Sequence, residues 1–401
     1  MSAAIRRECV PLRRTAVEYE CFRLLSRGRG VVMGDLLPCS GMADQSTRDL
    51  LESVRGRVEL KEPWCRGARP VVDIAVLRPD EFQESDETSA GVARLLEESS
   101  HQFDVIDTRM DFTPYKVLVL PDYIRVSDEL NGKLEAYLAQ GGKLIASFES
   151  GMNTEKTGFP LHALGVECVR PGPIARDGKP ARGREFDHTG FVDCIIPRSA
   201  ISQGLVETAH PMHTRCAEVK ALPGSEVLAD VMLPEFDPSC KRFCSYREPH
   251  SSRTAGSAGI VRNGNAIYFA HNVFQLYSEY AAPWIKKLFV NALSILLPEQ
   301  LIRHDGPSTM IATVTEQSDQ NRWVIHLLHY ILLGRTAELD VLDDVIPLHE
   351  VKVSLKVPKE VSEIQLRPQH HDPVEFWPVG ERIEFVVPRI SGHQMVEVSF
   401  R

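Results

Sequence analysis

Carboxylates, imidazoles and thiols are the side chains here that can move protons, attack carbon or hold a metal. Glu149 comes first. It follows an apolar run at 143–148, suited to a strand buried on both faces, and stands where the chain must turn sharply. A carboxylate at a strained turn is a candidate acid or base. As the leftover apex of an elbow with a solvated side chain it would do nothing. Asp35 follows Gly34 after a short strand candidate at 30–33. It is either a substrate-contacting group or a loop cap ahead of Pro38 and Gly41. His326 and His329 lie on one strand at an odd spacing, so they face opposite sides and cannot chelate one metal from a regular strand. Trp323, Ile325, Leu327 and Ile331 mark the apolar face, which takes His329 inward. His326 lies on the other face with Arg322, Val324, Leu328 and Tyr330, as a site group or as a hydrogen-bonded interface histidine.

The remaining clusters fit metal or cofactor chemistry less well. Cys240-x3-Cys244 with His250 lacks the second close pair of a tetrahedral zinc site. His210-Pro-Met-His213 lacks the glutamate of a zincin helix. His370-His371-Asp372, set between Pro368 and Pro373, reads as a polar turn. Gly28-Arg-Gly30 precedes a strand, the wrong order for a dinucleotide fingerprint. No cofactor and no metal is expected on these patterns.

The elements that must position these groups fall into three regions. At 14–27, Ala16, Tyr19, Phe22 and Leu25 recur at spacings of three, and Gly28 and Gly30 close the helix. Asp44 caps a second helix carrying Leu50, Leu51, Val54 and Val58. Two helices around one strand cannot bury a core, so 14–60 is expected to be partly disordered or to pack on a partner. From 70 to 298, strands at 71–77, 103–107, 117–120 and 143–148 alternate with helices near 89–99 and 127–140, which implies a parallel, doubly wound α/β sheet. Gly141 and Gly142 end the helix before the last of these strands. The stretch 159–264 reads as antiparallel strands and loops, 266–270 as a further strand. Pro283 opens a helix with a wide apolar stripe that Pro298 ends. From 308 onward, alternation along 350–357, 383–387 and 395–400 with prolines between them indicates an antiparallel β-sandwich.

The chain has 401 residues and a net charge of −9, which argues against a nucleic-acid partner. No apolar run is long enough to span a bilayer, so no membrane association is expected. Nine cysteines without framework spacing suggest reduced thiols and a cytoplasmic location.

Gly34-Asp35 with Glu62-Pro63-Trp64, the βα region ending in Gly-Gly-Lys-Leu-Ile-Ala-Ser-Phe, and Arg322-Trp-Val-Ile-His-Leu-Leu-His-Tyr330 occur here in the order found in one architecture. The chain resembles the C-terminal part of glycoside hydrolases that carry a (β/α)8 barrel, a β-galactosidase-type trimerisation domain and a small β-sandwich. Its likeness is to α-L-fucosidase-like proteins that share the middle domain with family-42 β-galactosidases. The resemblance implies a remnant of the barrel's end at 1–69, a flavodoxin-like, class I glutamine-amidotransferase-like domain at 70–304, and the sandwich at 305–401. In amidotransferase-like domains the elbow carries a nucleophilic Cys. Here Glu149 takes that place with no Cys within ten residues, as in the family's trimerisation domain. Asp35 would sit at the C-terminal end of the last barrel strand, the face that carries active sites. The family's acidic nucleophile lies on strands before this segment and carries over to no residue.

The site candidates are therefore Asp35, Glu149 and His326. Sugar cleavage needs a second carboxylate about 5 Å from the first, or roughly 6.5–9.5 Å from it, and no spacing supplies one. The expected role is non-catalytic, a homo-oligomerising (trimeric) support for a sugar-cleaving barrel. The alternatives are an active glycosidase completed by a separate barrel chain, or a carbohydrate-binding protein using Trp64, Trp323 or Trp377.

Overall fold

The computed structural model describes residues 13–34, 44–78, 86–171, 193–232, 254–334, 340–342, 344–369 and 373–401. They form two compact units. One takes in the described residues within 1–71, 97–102 and 300–401, the other those within 72–96 and 103–299.

The second unit is built on a mixed sheet. Its strands lie in the order Phe103–Ile106, Ile74–Leu77, Val117–Leu120, Lys143–Ser147, Ala266–Phe269, Thr254–Asn263, Glu226–Met232, Cys194–Pro197, His210–Pro211. The first five run parallel and the rest are added antiparallel. The unbroken apolar runs have the cause expected of them, since both faces are covered. Leu118 and Leu120 turn to a core shared with Leu130, Leu134 and Tyr137 of the helix Asp128–Ala139. Val117 and Val119 turn the other way, to Leu95 and Leu96 of Asp86–Glu98 and to Ile285, Leu288 and Phe289 of Pro283–Leu296. Ser127 caps Asp128–Ala139 by accepting the Leu130 N–H. At that helix's other end Gly141 is left-handed (φ 90°). A Cβ on Gly142 would stand 2.4 Å from the Tyr137 ring, so the tyrosine lies across the glycine and its hydroxyl accepts the Lys143 N–H at 3.3 Å.

The first unit is built on two larger antiparallel sheets. One orders Arg69–Pro70, Met310–Gln317, Arg322–His329, Gly392–Phe400 and Val361–Arg367; the other Ile302–His304, Leu348–Lys356, Arg382–Ile390 and Phe376–Val379. Trp323, Ile325 and Leu327 from the first face Val353, Leu355, Phe385 and Val387 from the second in one core.

The expectation for 14–60 is corrected here. The helices Arg14–Leu25 and Gln45–Glu59 form as the spacing predicts, with Asp44 accepting the Thr47 N–H, but 30–33 joins no sheet ladder. Nor does the first helix lack a surface to cover. Tyr19, Phe22 and Leu25 pack on Val324, Leu328, Tyr330 and Met395, the outer face of the five-stranded sheet. The helix takes the side of that sheet the sandwich core leaves open, packing on its apolar residues. Full burial of a side chain such as Phe22 is worth roughly 1.5–3 kcal/mol.

Candidate functional site

At the carboxyl ends of the parallel strands, two residues are forced into left-handed backbone. Asp122, just past Val117–Leu120, has φ 45°, and Phe148, just past Lys143–Ser147, has φ 54°. The strained residue of the elbow is thus Phe148, one before Glu149. Such conformations persist only where their surroundings over-determine them. Here the Phe148 N–H bonds Phe269 O at 2.7 Å, the Glu149 N–H bonds Asp122 O at 2.9 Å, and the Tyr268 hydroxyl donates to Phe148 O.

Glu149 is not a solvated apex. It is 2% exposed. Its carboxylate pairs with the Arg125 guanidinium and, at 3.0 Å, with Lys156 Nζ, while Arg125 also donates to the Glu149 carbonyl at 3.2 Å. Two cations offset the desolvation that burial imposes on a carboxylate. The group is committed to its neighbours and presents no free oxygen face to a substrate.

Asp122 is the more unusual acid. It is fully enclosed, accepts the Ser147 hydroxyl at 2.7 Å and the Gln275 N–H at 2.8 Å, and burial pushes its carboxyl up to about 7. The helix Val273–Tyr280 begins against it. The Tyr123 hydroxyl donates to the Gln275 side chain at 2.6 Å, completing a buried polar network around the elbow.

A third group at this end of the sheet combines three side chains far apart in the sequence. Asp193 precedes Cys194–Pro197, Cys216 lies in a connecting segment, and His271 follows Ala266–Phe269. One ligand-type atom from each lies within 4.8 Å of the others, and all three residues are buried. No spacing pattern announces residues 193, 216 and 271. The one signal in the sequence is an imidazole placed directly after the strand read at 266–270.

His326 is fully buried. Its Nδ1 lies 3.1 Å from Nε2 of His393, the rings stack at 5.3 Å, and Nε2 meets the Thr315 hydroxyl at 3.1 Å. Burial lowers its imidazole to about 3, so the pair is neutral, and Lys61 above it, which donates to the His393 carbonyl at 2.9 Å, is itself lowered to about 8. His329 is closed off by Thr309 Oγ1 at 3.1 Å and the Ile346 carbonyl at 2.9 Å. His210 bonds the Val206 carbonyl and stacks on Trp284, and His213 stacks on Tyr280. Asp35, Cys240, Cys244, His250, His370, His371 and Asp372 lie outside the described residues. Of the tryptophans named above, Trp323 sits in the sandwich core against Phe400, and Trp64 donates to Glu397 between the guanidinium groups of Arg322 and Arg367. Trp377 alone of those three is half exposed, on a cleft of about 990 Å³ that Gln369, Glu375, Arg389 and Gln394 also line.

Residues 94–165, which include the elbow, match the family model described as the beta-galactosidase trimerisation domain. Over 97% of its length the chain superposes on 58% of the alpha-L-fucosidase isoenzyme 2 from Paenibacillus thiaminolyticus, with a TM-score of 0.86 and 31% identity. The beta-galactosidase from Rahnella sp. R3 shares the fold at TM-score 0.59 and 14% identity, covering 98% of this chain and 52% of that one. In sequence, beta-galactosidase BbgII of Bifidobacterium bifidum is 25% identical over 192 residues, 43% of this chain and 28% of the relative. The chain thus spans little more than half of either solved protein. It is related to glycoside hydrolases and carries their β-galactosidase-type trimerisation domain.

Proposed function

We propose that this chain is the non-catalytic, assembly-forming portion of an α-L-fucosidase- or β-galactosidase-like glycoside hydrolase, which oligomerises as a homotrimer and supports a sugar-cleaving barrel. The observation that carries it is the elbow. A turn of the kind that presents a nucleophile instead holds a buried, doubly ion-paired Glu149, inside the stretch that matches a trimerisation domain. The strand order at the parallel end of the sheet, second, first, third and fourth in the chain, supports a flavodoxin-like, amidotransferase-like reading of the 70–304 domain. The helices Arg14–Leu25 and Gln45–Glu59 are read as the close of a (β/α)8 barrel within 1–69, and 305–401 as the C-terminal sandwich. Cleavage is assigned to barrel strands supplied elsewhere, on the same polypeptide or a companion.

Light scattering across a concentration series tests assembly. Three times the 45.0 kDa chain mass is expected, and a strict monomer at high concentration sinks the proposal. Assays with aryl α-L-fucosides and β-galactosides should give no turnover with this chain alone.

A second reading, carbohydrate binding, is favoured by the exposed indole of Trp377 beside amide and charged groups, the composition of a sugar-stacking platform. Titration calorimetry with fucose and galactose separates the two, since a response lost in Trp377→Ala belongs to the second.

A further inference from the structure

The buried trio Asp193, Cys216 and His271 takes no part in the proposed assembly role, and while its thiol hydrogen-bonds its carboxylate, the imidazole and one carboxylate oxygen are left without partners. His271 is 1% exposed, yet neither Nδ1 nor Nε2 has a hydrogen-bond partner. Asp193 is equally enclosed, with Oδ1 unpartnered; its Oδ2 accepts the Cys216 N–H at 2.9 Å. Buried polar atoms are almost always paired, and an exception calls for a cause such as an ion. Here the three side chains converge on one point. His271 Nε2 lies 3.9 Å from Asp193 Oδ2, and a thiol completes the triangle within 4.8 Å.

We propose that Asp193 Oδ, Cys216 Sγ and a ring nitrogen of His271 form a binding site for one divalent transition-metal ion of the zinc class. The donor types decide the class. One thiolate, one imidazole and one carboxylate suit zinc or cobalt, whereas magnesium and calcium take oxygen alone. In a tetrahedral zinc site the ligand atoms stand about 3.3–3.8 Å apart. The triangle, with one side of 3.9 Å and none above 4.8 Å, is wider than that, and ion binding would have to draw the three groups together. A water supplies the fourth ligand. Binding releases the Cys216 thiol proton to solvent and leaves the bound sulfur as thiolate.

The backbone holds the three ligands in place before any ion arrives. The Asp193 N–H bonds Thr214 O at 3.1 Å, the Met212 N–H bonds Asp193 O at 2.8 Å, and the Ala217 N–H bonds Ala270 O at 2.9 Å. These bonds tie the segments bearing all three ligands to one another. The ion would therefore clamp the added antiparallel strands to the end of Ala266–Phe269.

The test uses the full chain, stripped with chelator and titrated with cobalt(II) chloride. One equivalent should bind per chain, with a thiolate-to-cobalt charge-transfer band in the near ultraviolet, and zinc chloride should abolish that band. Cys216→Ala and His271→Ala should each lose it. Cys240→Ser/Cys244→Ser, which removes the other pair of thiols at metal-like spacing, should keep it. No stoichiometric band in the wild type overturns the proposal. So does a band that survives Cys216→Ala or disappears with Cys240→Ser/Cys244→Ser. If Cys216→Ala does not fold, the Cys240→Ser/Cys244→Ser protein still decides. X-ray absorption of its zinc form should give one sulfur ligand among lighter ones, and none or more than one rules out this trio.

Discussion

Asp122 and Glu149 are neighbours at the sheet's carboxyl end, yet their surroundings treat the two carboxyls in opposite ways. Glu149 is buried with two cations, and Asp122 with none but with a hydroxyl and an amide N–H as donors. Removing Glu149 leaves Arg125 and Lys156 facing a vacated interior. Both are partly exposed, so Glu149→Ala is expected to cost about 3 kcal/mol, the low end for breaking a buried pair, measurable as a lower urea midpoint. Asp122 makes a prediction about pH. Its carboxyl titrates near 3.8 unfolded and about 7 folded, so between those values the folded state holds a proton that the unfolded state has lost. Stability must then fall as pH rises. The contribution is fully present below about 3.8 and gone once pH passes about 7. Asp122→Asn keeps a side chain that tolerates φ 45° and still accepts the Gln275 N–H, at the cost of about one hydrogen bond, 0.5–1.5 kcal/mol. The signed difference in melting temperature, wild type minus variant, should fall from pH 5 to pH 8, the wild type losing ground to the variant. A flat difference would show that Asp122 is ionised throughout.

Among the elements, the most informative is the helix Arg14–Leu25. Its stripe of Tyr19, Phe22 and Leu25 was legible in the sequence, but its partner was not. The sheet it covers is made of strands some three hundred residues later, and Val324, Leu328 and Met395 read there as the outer side of a sandwich. Period-two alternation told which residues share a face and was silent on whether each face is covered. The parallel strands were easier, because unbroken runs such as Val117–Leu120 occur only where helices cover both sides. The elbow was legible through Gly141-Gly142 and the apolar run that follows, whereas Glu149's burial was not, since Arg125 and Lys156 reach it through space. Asp193, Cys216 and His271 were invisible for the same reason, being three segments joined by backbone hydrogen bonds rather than by spacing. If the helix does belong to the sheet, Phe22→Ala should lower stability by about 3–5 kcal/mol. Amide exchange along Arg14–Leu25 in the wild-type chain should be as slow as in Arg322–His329. Fast exchange in that helix would return it to the status of an unattached segment.

At the scale of the whole molecule, assembly has to use a surface, and the second unit offers one inside the stretch that matches the trimerisation domain. Among the described residues Phe103–Ile106 is the end strand of the mixed sheet, and its ladder partner is Ile74–Leu77. Val105 on it is 58% exposed and Met110 just beyond it is 50% exposed. A bare strand edge beside apolar side chains invites pairing unless it is blunted by charge. Under the trimer proposal, another copy of this chain covers it. Val105→Lys places a charge on that edge without touching the cores on either face, so its unfolding free energy should stay within about 0.5 kcal/mol of wild type. Its mass by light scattering should fall from three chains to one at the same concentration. A variant that remains trimeric moves the interface elsewhere on the chain. A variant that loses both assembly and stability would mean that Val105 packs within its own protomer, and would withdraw this edge as the contact.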